Sequence, residues 1–179
     1  SSFYSNTVTA GSSSGSGIYS TYSSLVIHNS IFTSNRVSGS NARGGAIFVD
    51  NNIYTLMKGC DFIDNSVSNG GLGGAIFSQL GDITVSECMF SGNHALYYSG
   101  NFYGAKGGAI YTNRDELTLS DSVFLNNSAK YEAAAIYANR INAVNCLFIE
   151  NTSLHGRNGT AILSIEPSTA SNLTIINNG

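Results

Sequence analysis

Apolar and polar residues alternate along this chain in short bursts: Ile83-Thr84-Val85, Leu117-Thr118-Leu119, Ile141-Asn142-Ala143 and Leu173-Thr174-Ile175. Alternation of period two predicts strands with one buried face, and no segment shows the 3.6-residue period and caps of a helix. The bursts recur in phase with two other motifs. A Phe-x-x-Asn unit stands at Phe3/Asn6, Phe32/Asn35, Phe62/Asn65, Phe90/Asn93, Phe124/Asn127 and Phe148/Asn151, with Phe spacings of 29, 30, 28, 34 and 24. Two residues after each Asn comes Val8, Val37, Val67, Ala95, Ala129 or Ser153. A GGAI unit occupies 44–47, 73–76 and 107–110, with degenerate forms at 15–18, 133–136 and 159–162. From its Ile to the next Phe the count is 14, 15, 14, 14 and 12.

A period of about 29 residues holding three short strands cannot bury its own apolar side, whereas stacked copies can, one rung every ~4.8 Å. The expectation is an all-β, right-handed parallel β-helix of about six coils and three short strands per coil, a single domain over 1–179. Asn6, Asn35, Asn65, Asn93, Asn127 and Asn151 then stack as a ladder in one turn, where Asn tolerates left-handed backbone and its amide bonds to its neighbours above and below. The Phe residues form a buried ladder, and the Gly pairs mark a tight corner. A second ring series, Tyr19, Phe48, Phe77, Tyr111 and Tyr137, lines the outside if the preceding Ile faces inward, and belongs to the core if it does not.

Composition narrows the class. Charged residues are 11% of the chain against about 25% in an average globular protein. In their place stand 27 Ser, 12 Thr, 21 Asn and 20 Gly. A net charge of −3 supplies no footprint for nucleic acid or for an anionic membrane. One proline excludes collagen-like structure, and no apolar run is long enough for a membrane-spanning helix, so no direct membrane insertion is expected.

The alternation of GGA[ILV] with FxxN, with a small apolar residue two after the Asn, resembles the repeats of chlamydial polymorphic outer membrane proteins. These are autotransporter adhesins with a surface-exposed passenger β-helix. The resemblance extends over essentially the whole chain, but it lies in structural motifs shared with many pectin-lyase-like β-helices. It implies the fold and an adhesin role. These 179 residues show neither a translocating barrel segment nor a signal sequence.

The ends suggest a cut in mid-coil. The chain opens two residues before Phe3, and residues 173–178 align with residues 141–146, which places the last residue just before a further Phe. Two expectations follow: a fragment of a longer β-helix, or a unit that stacks head to tail into a fibre.

Candidate chemistry is sparse. Cys60, Cys88 and Cys146 each precede a ladder Phe by two, where Ser1, Ser30 and Ser122 stand in other coils. A small core ladder is the favoured reading, and a Cys60–Cys88 disulfide between adjacent coils is the other. No CxxC or His pairing suggests zinc. His28, His94 and His155 fall at different repeat positions, so no nucleophilic triad is expected. Glu87 and Asp121, at equivalent sites on adjacent coils, are the minority candidates for Ca2+; no other cofactor is expected. The longest loop, residues 94–106, carries Tyr97, Tyr98, Phe102 and Tyr103. With Tyr131 in the same loop class, these are the candidate contacts for a sugar or a protein partner. Four N-x-[ST] sequons occur, no more than this composition gives by chance. Asn126, Asn158 and Asn172 are the glycosylation candidates, and ladder residue Asn151 is not.

The sequence thus points to an extracellular or cell-surface, non-catalytic structural or adhesive β-helix, a glycoprotein if the source is eukaryotic, with self-association end to end and glycans as its expected partners. The rival is a carbohydrate-active β-helix (a polysaccharide lyase or hydrolase) or a glycan-binding module. Clustered acids with Arg or Lys on one strand face would favour that rival, and none is apparent. Ice binding finds only Thr84 and Thr118 on neighbouring coils.

Overall fold

The computed structural model describes residues 1–9, 11–96, 104–114, 116–155, 159 and 161–179. Among these residues every strand pairing is parallel, in four sheets of seven, six, six and six strands. The chain is a right-handed parallel β-helix of about six coils, with each sheet taking one strand per coil. Four strands per coil replace the three expected. The extra one follows the ladder Asn (Thr7–Thr9, Arg36–Ser38, Ser66–Ser68, His94–Ala95, Ser128–Ala129, Thr152–Ser153). At two or three residues it is too short to show an alternating pattern.

Register follows the motifs. Phe3 pairs with Phe32, Phe32 with Phe62, Phe62 with Phe90, Phe90 with Phe124 and Phe124 with Phe148. The rings stack almost parallel, with centroids 4.5–4.9 Å apart. Flanking them inside the coil are Ile47, Ile76, Ile110 and Ile136 from the GGAI strands and Ile83, Leu117 and Ile141 from the alternating strands. Removing this apolar surface from water is the main term that holds coil to coil.

Both sharp corners beside the Phe strand use one device. The residue before each ladder Asn is left-handed: Ser34, Asp64, Gly92, Asn126 and Glu150 have φ of 52–63°. The same holds before the Ser/Cys positions, at Asn29, Gly59, Glu87, Asp121 and Asn145. The left-handed site is thus the neighbour of the ladder Asn, not the Asn itself. What the Asn supplies is an acceptor. Asn35 Oδ1 takes the Asn6 side-chain and backbone N–H groups at 2.8 and 3.2 Å, and Asn65, Asn93, Asn127, Asn151 and Asn178 repeat this at 2.8–3.0 Å. Each side-chain N–H2 also donates to the Phe carbonyl of the preceding coil, as Asn93 does to Phe62 at 2.9 Å. Without that Asn, the corner N–H would be buried with no partner.

The Ser/Cys positions form a second ladder of the same kind. Ser30, Cys60, Cys88, Ser122 and Cys146 each turn their hydroxyl or thiol to the carbonyl two residues back, at 2.7–3.4 Å. Cys60 N–H donates to Cys88 Sγ and Cys88 N–H to Ser122 Oγ. Cys60 and Cys88 are separate, buried thiols, not the disulfide that was the alternative reading. Each thiol meets the carbonyl two residues back, and the Cys60 and Cys88 side chains also hydrogen-bond with each other.

The tail takes a different register from the expected one. Residues Thr174–Ile176 extend the Phe sheet: Ile175 pairs with Phe148, and Asn178 is a seventh ladder Asn. The strand Thr169–Ser171, not 173–175, continues the alternating sheet. An Ile standing where a Phe was sought caused the one-strand slip.

Candidate functional site

The second ring series lies on the outside of the coil. Tyr19, Phe48, Phe77, Tyr111 and Tyr137 stack at 4.7–5.4 Å, while the Ile before each points into the core. The series is nonetheless largely covered: Phe48 and Phe77 are buried and only Tyr19 is strongly exposed. The cover is the segment entering each GGAI corner, where Ser14, Arg43, Leu72, Lys106 and Glu132 form a row of parallel bridges. Arg43 lies over the Phe77 ring at 5.0 Å and donates to Gln79, and Lys106 lies over Tyr137 at 4.8 Å while paired with Glu132 at 2.7 Å. Burial, with the Tyr137 phenol adding to it, pushes the Tyr111 phenol up to about 12. These rings are packing rather than a contact strip.

The other predicted positions are scattered. Tyr97, Tyr98, Phe102, Tyr103 and Asn158 lie outside the described residues. Tyr131 is half-buried against the small cluster of Val37, Val67, Ala95, Ala105 and Ala129, with its ring beside His155. Glu87 pairs with Lys58 at 3.0 Å, and Asp121 accepts from Asn145 at 2.6 Å. Among the described residues no three His, Cys, Asp or Glu side chains gather where they could hold a metal. Asn126 and Asn172 are exposed on left-handed corners, while Asn151 is fully buried with both amide hydrogens donated.

His94 does meet a serine, against expectation: its Nδ1 lies 2.8 Å from Ser128 Oγ on the next coil. Their strands are paired, and the 34-residue step between the coils hid the match. Burial pushes the imidazole down, and the Asp64 carboxylate partly opposes this. Among the described residues no acid is bonded to the other ring nitrogen, so within them the pair has no orienting third member of a triad.

The structure does assemble one polar site that the sequence hid. The turns joining the GGAI strand to the alternating strand bring Asp82, Arg114, Glu116, Asn139, Arg140 and Glu166 around an open cleft of roughly 360 Å3. The Arg140 guanidinium sits between two carboxylates, 2.8 Å from Glu166 and 3.7 Å from Glu116. Asp82 accepts the backbone N–H of Glu116 at 3.1 Å. Exposed ion pairs of this kind contribute only about 0–1 kcal/mol to folding. Acids and arginines do gather here, but around turns rather than on the one strand face expected of a carbohydrate-active protein. The members of the cleft stand at different offsets in unequal repeats, so no motif announced them.

Residues 87–113 match the Chlamydia polymorphic membrane protein (Chlamydia_PMP) repeat. That is the expected resemblance, found by direct comparison over about one coil. The matched stretch runs from the corner at Glu87 through Phe90 and Asn93 to the third GGAI strand, Ile110–Asn113. It includes Arg114's immediate neighbour but none of the cleft side chains. No curated protein and no solved structure matches the chain. Among the described residues no helix is long and apolar enough to cross a membrane.

Proposed function

We propose that this chain is a non-catalytic β-helix of the cell surface that serves structure or adhesion. The observation that carries the reading is the polymorphic membrane protein repeat over 87–113, set in a stack whose other coils pair with it strand to strand. A rigid solenoid with self-satisfied corners suits a part that presents surface at a distance from the cell. The test is to couple the purified chain to beads and to measure retention on cultured cells, alongside release of reducing or unsaturated ends from polysaccharides. Retention without release is expected; polysaccharide cleavage would overturn it.

The cleft favours a second reading, a module that acts on or binds carbohydrate, because acids and arginines converge there. End-to-end association is also proposed. Ser2–Tyr4 and Thr174–Ile176 are the outer strands of one sheet, so a further coil from another copy would meet matching backbone edges. Electron microscopy of native material is expected to show filaments with one coil rise across each junction, and isolated particles would remove this element.

A further inference from the structure

The cleft is one end of a longer strip. The outward positions at the start of the alternating sheet's strands run Ser24, Tyr54, Asp82 (just before the strand Ile83–Ser86), Glu116 and Arg140 on successive coils. A second outward row lies beside it: Leu56, Thr84, Thr118, Asn142 and Thr169. At the early coils the strip is aromatic and apolar, with Tyr22, Ile53 and Tyr54 exposed by 77%, 80% and 48%. At the later coils it is the cleft of Asp82, Arg114, Glu116, Arg140 and Glu166.

We propose that this strip binds a neutral oligosaccharide laid along the helix axis, a proposal that rests on the adhesive reading and names its ligand class. Rings at one end offer faces on which a pyranose can stack. Carboxylates and guanidinium groups then alternate, and a sugar hydroxyl is both the donor that a carboxylate needs and the acceptor that a guanidinium needs. Few other ligands satisfy such interleaved groups at once. Three carboxylates against two arginines leave the cleft net negative, which disfavours uronate, sulfated or nucleic acid chains. An apolar peptide would leave the charges desolvated and unpaired. The rung spacing of about 4.8 Å is close to the advance of one ring in an extended glycan, so successive sugars meet successive coils.

The experiment is calorimetry of the whole chain against four probes: cellohexaose, N-acetylchitohexaose, maltohexaose and the polyanion hexagalacturonate. Saturable binding of at least one neutral probe is expected, with hexagalacturonate weaker. Tyr54→Ala and Arg140→Gln should each weaken binding about tenfold or more, ~1.4 kcal/mol. Lys58→Ala, outside both rows, should leave it unchanged. Tyr54 is a surface ring, so its removal tests the strip without disturbing the core, and unchanged circular dichroism identifies folded variants. No binding by any neutral probe, preference for hexagalacturonate, or full binding by both folded variants would overturn the proposal. Cell retention that survives in these variants would also overturn it while leaving the adhesive reading in place.

Discussion

At the scale of the residue, two ladders decide where the chain can turn. The hydroxyl of Ser122 and the thiol of Cys88 do the same work, each bonding the carbonyl two residues back and receiving an N–H from the preceding coil. Cys88→Ser is therefore expected to hold stability within about 1 kcal/mol, while Cys88→Ala should cost about 1–3 kcal/mol by leaving the Cys60 N–H unmet. Chemical denaturation of the two variants measures the difference, and equal losses would show that the sulfur acts only as filler. Burial raises the Cys146 thiol, and Cys88 is raised by its hydrogen bond with Cys60 and by burial, so both remain protonated at neutral pH. His94 makes a separate prediction. Its folded imidazole is held below the ordinary 6.5, so the unfolded chain binds a proton at higher pH than the folded one. The stability it contributes is complete above about pH 6.5 and is lost as pH falls below that value toward the folded one. The melting temperature should therefore fall between about pH 7 and pH 5, and less so in His94→Gln. Parallel pH profiles of the two proteins would contradict this.

At the scale of the element, the GGAI corner is the most constrained. Gly73 has φ of 68°, and a side chain there would strike the Ile76 carbonyl. A Cβ on Gly74 would collide with the Gly108 carbonyl and stand 2.7 Å from the His94 nitrogen. Gly74→Ala is expected to cost at least about 1–3 kcal/mol, since backbone and not a movable side chain is in the way. Gly11→Ala, with nothing within 4 Å of its Cβ, is the control that should leave stability unchanged in the same thermal melt. Much of this level could be read from sequence. Phe32, Phe62 and Phe90, with their Asn partners, mark one sheet, its register and one corner in the sequence itself. The left-handed residues did not announce themselves, because Ser34, Asp64, Gly92, Asn126 and Glu150 share a conformation and no side-chain type. The cleft was equally hidden. Asp82 follows a glycine turn, Arg114 sits two before Glu116, and Glu166 belongs to a coil whose alignment had slipped by one strand.

At the scale of the whole molecule, stability is a sum over coils and the contacts between neighbours. Asn65 and Asn93 lie 28 residues apart, so excising residues 62–89 removes one period and sets Phe90 directly after Asp61. The shortened chain is expected to keep its β spectrum and to melt cooperatively at a lower temperature. Loss of the spectrum would mean that the coils are not interchangeable. The cleft draws on coils three to six, so the same excision removes Asp82 and cuts the sugar strip at its middle.

The Asn ladder has a sense. From Asn6 to Asn151 each rung sends its backbone N–H and one side-chain N–H to the side-chain carbonyl of the later coil, while from Asn35 onward the other side-chain N–H goes back to a Phe carbonyl of the earlier coil. The amide dipoles of this column consequently add instead of cancelling, and the two faces of any coil are chemically unlike, one hydrogen-rich and the other oxygen-rich. Any additional coil, whichever chain supplies it, has to arrive pointing the same way. Reversing it would set oxygen against oxygen at the Asn6 end, or N–H against N–H at the Asn178 end, where the corner backbone N–H has no other acceptor.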